Sequence, residues 1–276
     1  MLDPFDYKEP SCPLSDGKKF YYPSADDPKG EIPVRRIIEK LDAFYAKNDT
    51  AGAGEFLCRW EKEAVELRDK RGELSIVNEL MGHYRKEGMR GEALDAAGRG
   101  EALVSELDLS DTVSGATVLL NAATVYKAFG MPEEAVRLYA SASRVYRRDL
   151  GEFDIKLAGL CNNSALALCD LGRYDEAEEL FAEAAAIMAA APRGGCDEAA
   201  TYVNMAHMYE TRYGREDARV DECMSAAWQI LDSENTERDS YYAFVSSKCA
   251  PSYEHFGDTE KAKILKERSD AIYERA

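Results

Sequence analysis

Apolar and polar positions follow a helical spacing along residues 73–276, and a turn residue interrupts this pattern at regular intervals. The intervals are 42, 42, 41 and 44 residues between the turn positions Gly88, Gly130, Gly172, Tyr213 (directly before Gly214) and Gly257. Self-similarity at a fixed period is the signature of a repeat architecture, in which each unit buries its apolar face against the next. The pattern therefore predicts an elongated array of helical units.

Three further positions keep the same register around each turn. Seven residues before it stand Met81, Ala123, Ala165, Ala206 and Ala250, and four before it stand Tyr84, Tyr126, Leu168, Tyr209 and Tyr253. Five residues after it stand Ala93, Ala135, Ala177, Ala218 and Ala262. Small side chains let two antiparallel helices approach closely, and glycine ends the first helix because it adopts the left-handed conformation at little cost. Each unit is therefore predicted to be a helix, a tight turn and a second helix.

The segment from Asn163 to Phe181, NSALALCDLGRYDEAEELF, closely matches a tetratricopeptide repeat, and residues 73–276 resemble an array of such repeats. Steps near 42 residues exceed the usual repeat of about 34. In this respect the chain resembles the kinesin light chain, bacterial peptide-sensing regulators and other small bacterial tetratricopeptide proteins. Residues 33–72 fit a degenerate first pair. The resemblance implies an all-α fold, a right-handed superhelical solenoid of about six antiparallel helix pairs over residues 33–276.

Prolines mark two departures from the repeat pattern. Residues 1–32 hold five of the nine prolines and no periodicity, so they are predicted to form an extended arm, rich in proline and aromatic residues, that docks on another surface. Pro251 falls inside the first helix of the last pair, where it is expected to kink the helix or end it early.

In solenoids of the kind that this chain resembles, the first helix of each pair lines a concave groove. Asparagine recurs in that helix nine residues before the turn, at Asn121, Asn163 and Asn204, a set that we call the asparagine ladder. A side-chain amide donates and accepts hydrogen bonds, so such a row can pair with the backbone of an extended peptide. The resemblance implies the same role. Two alternatives stay open, in which the amides bond to neighbouring helices or face water.

Other polar residues of the same helix stripe complete the predicted peptide-binding set, which is Asn78, Arg85, Asn121, Thr124, Lys127, Asn162, Asn163, Asn204, His207, Glu210 and Lys248. Its charge is mixed or slightly basic, which favours an acidic peptide or one with a free carboxylate. A solvated charged face explains the same residues. The carboxylate clamp of chaperone-binding tetratricopeptide domains is not reproduced, because Gly159 stands where its lysine is expected.

Charge narrows the choice of partner. The chain carries 52 acidic and 35 basic residues and a formal net charge of −17, which opposes binding to nucleic acids and to anionic membranes. The longest apolar run, residues 184–191, is too short to cross a bilayer. The sequence therefore predicts a cytoplasmic protein with a protein or peptide partner.

Catalytic and metal-binding spacings are absent from the sequence. It has no phosphate-binding glycine loop, no nucleophile elbow and no pair of histidines four residues apart. His207 and Glu210 lie one helical turn apart, but two ligands do not make a metal site. Cys12 stands in Cys-Pro-Leu-Ser, where Ser15 replaces the second thiolate of a zinc knuckle. We expect no enzyme activity, no metal and no cofactor.

These observations favour a protein- or peptide-binding scaffold or adaptor that holds an extended peptide through the asparagine ladder. The alternative is a structural protein that assembles with itself into a homo-oligomer and leaves the groove unused. The two differ in whether the mass of the protein depends on its concentration.

Overall fold

The computed structural model describes residues 27–47 and 49–275, and within these ranges the chain forms twelve helices. Their bounds are α1 Val34–Tyr45, α2 Thr50–Leu67, α3 Lys70–Lys86, α4 Arg90–Glu106, α5 Val113–Ala128, α6 Pro132–Asp149, α7 Ile155–Asp170, α8 Tyr174–Ala190, α9 Gly195–Tyr213, α10 Ala218–Asp232, α11 Ser240–His255 and α12 Thr259–Tyr273. None of these helices is long and apolar enough to cross a membrane. Most of the expected arm, and Cys12 with it, lies outside the described residues.

Consecutive helices pack as pairs, and the pairs stack into a solenoid with two layers. Each odd-numbered helix also packs on the next odd-numbered one, from α1 against α3 to α9 against α11. Among the described residues no two even-numbered helices pack to a comparable extent. The odd helices therefore form the inner layer and the even helices the outer one. The predicted all-α solenoid of six helix pairs is confirmed.

Five of the six turns within the helix pairs, from the α3–α4 turn onward, contain a glycine with a positive φ angle. The φ angles are 71° at Gly88, 76° at Gly130, 71° at Gly172, 94° at Gly214 and 91° at Gly257. A side chain is strained in this conformation, whereas glycine adopts it freely. The four glycines that set the period in the sequence lie at these turns, and in the α9–α10 turn the positive φ falls at Gly214, one residue after the assigned position Tyr213.

The small residues predicted at the helix crossings are buried, and one register assignment is wrong. Ala123, Ala165 and Ala206 have no exposed surface, which allows the paired helices to pack closely. Ala218 is exposed, and Val220 is the fully buried residue at that level of α10. α9 continues for seven residues after Ala206, whereas α7 continues for five after Ala165, and this difference places the buried residue of α10 two positions later.

The expected early break at Pro251 does not occur, because α11 continues from Ser240 to His255. Proline removes the hydrogen bond that an N–H at this position would donate to the carbonyl of Ser247. Both Pro251 and Ser247 are exposed, so water can hydrate that carbonyl. Because Pro251 lies on an exposed face of α11, the loss of this hydrogen bond destabilises the helix only a little.

The few described residues before α1 are held against the turn between α2 and α3. The backbone N–H of Lys29 donates to the carbonyl of Leu67 over 2.7 Å, and that of Ile32 donates to Oδ2 of Asp69 over 2.9 Å. Oδ1 of the same carboxylate accepts from the N–H of Gly72 and caps α3. Asp69 therefore joins the chain entering α1 to the start of the second repeat.

Candidate functional site

The predicted binding residues all lie on inner-layer helices. Asn78 and Arg85 belong to α3, Asn121, Thr124 and Lys127 to α5, Asn162 and Asn163 to α7, Asn204, His207 and Glu210 to α9, and Lys248 to α11. Ten of them are half-buried and Lys248 is exposed. Half-burial on the inner layer leaves side chains accessible while the helices hold them in place.

The asparagines bond to one another between neighbouring repeats. Nδ2 of Asn121 donates to Oδ1 of Asn78 over 2.8 Å, and Nδ2 of Asn204 donates to Oδ1 of Asn162 over 3.0 Å. In both pairs the acceptor stands ten residues before the turn of its own repeat, and the donor stands nine residues before the turn of the following repeat. Nδ2 of Asn162 also donates to Oδ1 of Asn163 over 3.3 Å. Asn121 and Asn204 therefore bond to neighbouring helices, one of the alternatives that the sequence left open, whereas Asn163 bonds within α7.

These bonds use only part of the hydrogen-bonding capacity of the ladder. Oδ1 of Asn121, Nδ2 of Asn163 and Oδ1 of Asn204 bond to no other described residue. They are also not buried, since among the described residues only Oγ of Ser246 is a buried side-chain polar atom without a partner. An acceptor, a donor and an acceptor thus remain on three successive inner helices, α5, α7 and α9.

The groove between α3 and α5 has a volume of about 230 Å³ and brings four predicted residues together. Its lining consists of Asn78, Glu79, Gly82, Arg85, Lys86, Asn121, Thr124 and Val125. Burial raises the pKa of the Glu79 carboxyl, and a hydrogen bond from Asn78 opposes that shift. The hydroxyl of Thr124 is already engaged, with the carbonyl of Leu120 and with the Tyr139 hydroxyl.

The basic side chains that line this groove make no ion pair within the described part of the chain, whereas the lysine of α5 in the predicted binding set is paired with an acidic side chain. Arg85 and Lys86 make no ion pair with a described residue, and Nζ of Lys86 lies 5.4 Å from the centre of the Tyr45 ring. By contrast, Nζ of Lys127 on α5 lies 3.7 Å from Oδ2 of Asp170 on α7. A negatively charged group would therefore meet two cations without an ion pair to a described residue beside α3, in a groove that also contains the carboxyl of Glu79.

The far end of the inner layer holds a cluster that sequence reasoning found only in part. Nε2 of His255 on α11 lies 2.8 Å from Oε2 of Glu210, and Nδ1 of His207 lies 3.7 Å from the same oxygen. Burial and the neighbouring His255 lower the pKa of His207, whereas Glu210 raises it. From the sequence His255 looks isolated from His207, because it stands two residues before its turn and His207 six, so the repeat register does not align them.

Lys248 stands apart from the asparagines. It makes no hydrogen bond to a described residue, and its Nζ lies 5.8 Å from the centre of the exposed Phe244 ring. Phe244 stacks at 6.3 Å on Tyr241, which is also exposed. The last inner helix therefore presents aromatic side chains and a lysine where earlier helices present amides.

Comparison with known proteins supports the repeat assignment. The tetratricopeptide repeat profile matches residues 157–191, which include most of α7 and all of α8. No curated protein sequence matches the chain. The resemblance to tetratricopeptide repeats is thereby confirmed at the repeat that contains Asn162 and Asn163.

Several solved structures share the fold. A Podosopora anserina putative kinesin light chain with nearly identical repeats of this type is 20% identical, with a TM-score of 0.52, and the match covers 72% of this chain and 94% of that one. BtubC (BKLC) from P. vanneervenii is 18% identical, with a TM-score of 0.52 and coverage of 89% and 92%. The apo form of the quorum sensor NprR from B. thuringiensis is 14% identical, with a TM-score of 0.53 and coverage of 88% and 65%. At these identities the likeness shows the fold alone.

Proposed function

We propose that this chain is a scaffold that holds an extended peptide segment of a partner protein along its inner layer, from α3 to α9. The observation that carries the proposal is the row of unused amide atoms on Asn121, Asn163 and Asn204. An extended backbone presents N–H and C=O groups in alternation, and the row offers acceptor, donor and acceptor in turn.

The bonds between repeats support this role because they hold the amides in place before a peptide arrives. Asn78 fixes the amide of Asn121, and Asn162 fixes that of Asn204. A side chain that is already ordered loses less conformational entropy when it binds, so more of the interaction energy contributes to affinity. The asparagines ten residues before the turn are thus positioning residues for the ladder.

We further propose that the peptide is acidic or ends in a free carboxylate near α3. Arg85 lines the groove there beside Asn78 and Asn121, and neither Arg85 nor Lys86 is neutralised by an ion pair with a described residue. Charge complementarity at the edge of a site speeds association and sets orientation. Increasing salt should therefore slow association.

Selection from a random peptide library against the full chain, followed by fluorescence anisotropy, tests the proposal. Asn163→Ala is the most informative variant because it removes an unpaired donor and only one weak bond within α7. The loss of one hydrogen bond worth about 0.5–1.5 kcal/mol weakens binding about 2- to 13-fold. Asn235→Ala, an exposed asparagine between α10 and α11, is the matched control and should bind normally.

Asn121→Ala and Asn204→Ala should also weaken binding, but each breaks a bond between repeats. Their melting temperatures must therefore be measured beside their affinities. Selected peptides that bind Asn163→Ala and Asn235→Ala equally well would rule out the ladder as the binding site.

The second candidate function is self-assembly into a homo-oligomer. Phe153 and Ile155, where α6 connects to α7, are 60% and 43% exposed, and an exposed apolar pair of this kind suits a contact between copies. Light scattering across a hundredfold range of protein concentration measures whether the molar mass of the protein depends on its concentration. A constant monomer mass excludes self-assembly, whereas a mass that rises with concentration and falls in Phe153→Ser supports it.

A further inference from the structure

We propose that His207, Glu210 and His255 form a binding site for a divalent transition-metal ion such as Zn²⁺. One ligand atom from each side chain can be chosen so that all three atoms lie within 4.8 Å of one another. Two imidazoles and one carboxylate are a donor set that zinc takes in proteins. The site would lie at the end of the inner layer and join α9 to α11.

Distances within the cluster are close to those that tetrahedral coordination requires. Metal–ligand bonds of about 2.0–2.2 Å place tetrahedral ligand atoms roughly 3.4 Å apart. Oε2 of Glu210 lies 2.8 Å from Nε2 of His255 and 3.7 Å from Nδ1 of His207, one value on each side of that separation. Side-chain rotations that bring all three ligand atoms, which lie within 4.8 Å of one another, to this separation would form the site.

Surrounding contacts orient the ligands as in a metal site. Nε2 of His207 lies 2.8 Å from Oγ of Ser252, so when that nitrogen donates to the hydroxyl, Nδ1 carries the lone pair that faces Glu210. The ring of Phe256 lies 4.8 Å from both imidazoles and forms an apolar wall beside them. Such outer contacts fix the tautomer and ring orientation of metal-binding histidines.

The cluster is open enough for an ion to enter. The side chains of His207, Glu210 and His255 are 41%, 25% and 52% exposed. With only three ligands from this chain, a fourth position remains for water or for a side chain of a bound partner. The nitrogen-rich donor set favours Zn²⁺, Co²⁺ and Ni²⁺ over Ca²⁺ and Mg²⁺, which prefer oxygen ligands.

Zinc could also bind cysteine thiolates, so the test must distinguish the two. Burial raises the pKa of the described thiols Cys161, Cys169, Cys196, Cys223 and Cys249, which keeps them protonated and poor as ligands. Cys58, the remaining described cysteine, is half-buried, and Cys12 lies outside the described residues. The absorption spectrum of the protein loaded with Co²⁺ distinguishes a cysteine site from the proposed one, because thiolate ligands give intense charge-transfer bands that imidazole and carboxylate ligands lack.

Titration of the full chain with Zn²⁺ against a chromophoric chelator is the decisive experiment. We expect one high-affinity ion per chain, and a loss of affinity of more than about a hundredfold in Glu210→Gln and in His255→Gln. Glu254→Gln, the same chemical change at an exposed carboxylate one residue from His255, is the matched control and should bind normally. Ser252→Ala should weaken binding by about 10- to 100-fold, because Ser252 only orients His207.

Thermal unfolding supplies a second readout. Zinc should raise the melting temperature of the wild type and of Glu254→Gln, because an ion that binds only the folded chain stabilises it. Without metal, Glu210→Gln and His255→Gln should keep the helical circular dichroism of the wild type, since both side chains are partly exposed. Failure to bind zinc, equal affinity in all variants, or thiolate bands in the cobalt spectrum would each overturn the proposal.

Discussion

The bond between Asn78 and Asn121 allows the structural part of the asparagine ladder to be measured separately from its binding part. The two amides are half-buried, neutral and 2.8 Å apart, with Nδ2 of Asn121 as the donor. A net contribution of about 0.5–1.5 kcal/mol to the free energy of unfolding follows for such a bond. Because both groups reach solvent, water can replace the lost partner, and the larger penalty of a buried unpaired group does not apply.

A double-mutant cycle with Asn78→Ala, Asn121→Ala and the double variant tests this value. Each single substitution should lower the free energy of unfolding by about 1 kcal/mol, and the double variant by well under the sum, with a coupling energy near 1 kcal/mol. Asn163→Ala should cost about 0.5 kcal/mol or less, since its one amide bond, to Asn162, is 3.3 Å long.

Urea unfolding followed by circular dichroism provides the free energies, with a second probe to establish that the array unfolds in one transition. Coupling below about 0.3 kcal/mol would mean that the two amides act independently. In that event the ladder would not be held in place by the bonds between repeats, and the argument from pre-ordered amides would fail.

Three further predictions concern the turns, the register and the pH dependence. Gly172→Ala should destabilise the protein by about 1 kcal/mol because φ is 71° there, whereas Gly159→Ala in the interior of α7 should stabilise it by up to about 1 kcal/mol. Neither added Cβ has a packing neighbour within 4 Å, so backbone conformation alone decides the sign. Urea midpoints that shift in the same direction in both variants would contradict this prediction. Val220→Ala should lower the free energy of unfolding by about 1–3 kcal/mol, and Ala218→Ser should lower it by less than about 0.5 kcal/mol. If urea unfolding gives the reverse order, Ala218 is the buried residue, as the sequence register suggested. Burial lowers the pKa of His83 below its ordinary value of about 6.5, so the unfolded chain binds this proton more readily than the folded one as the pH falls below about 6.5. The contribution of His83 to stability should therefore be full above that pH and decrease below it. An NMR titration that gives His83 a pKa of 6.5 or higher would refute the assignment.

The sequence alone determined the repeat, the helix pairs and the turns. These features depend on contacts within one unit: Gly172 sets a conformation that few other residues adopt, and Ala165 sets how closely two adjacent helices approach. Because the same local requirement recurs in every unit, self-comparison of one chain is enough to reveal it. The helix layer that carries the asparagines follows from the same register.

Only the tertiary structure decided which polar groups meet across repeats. Asn121 pairs with a residue 43 positions earlier, and His255 joins His207 from 48 positions later, although neither distance equals the repeat. Val220 took the place of Ala218 because α9 extends two residues further beyond its crossing alanine than α7 does. Which side chains meet across repeats depends on how far each helix pair is rotated and shifted against the next. That geometry arises from the contact between stacked pairs, and the sequence pattern within one pair does not determine it.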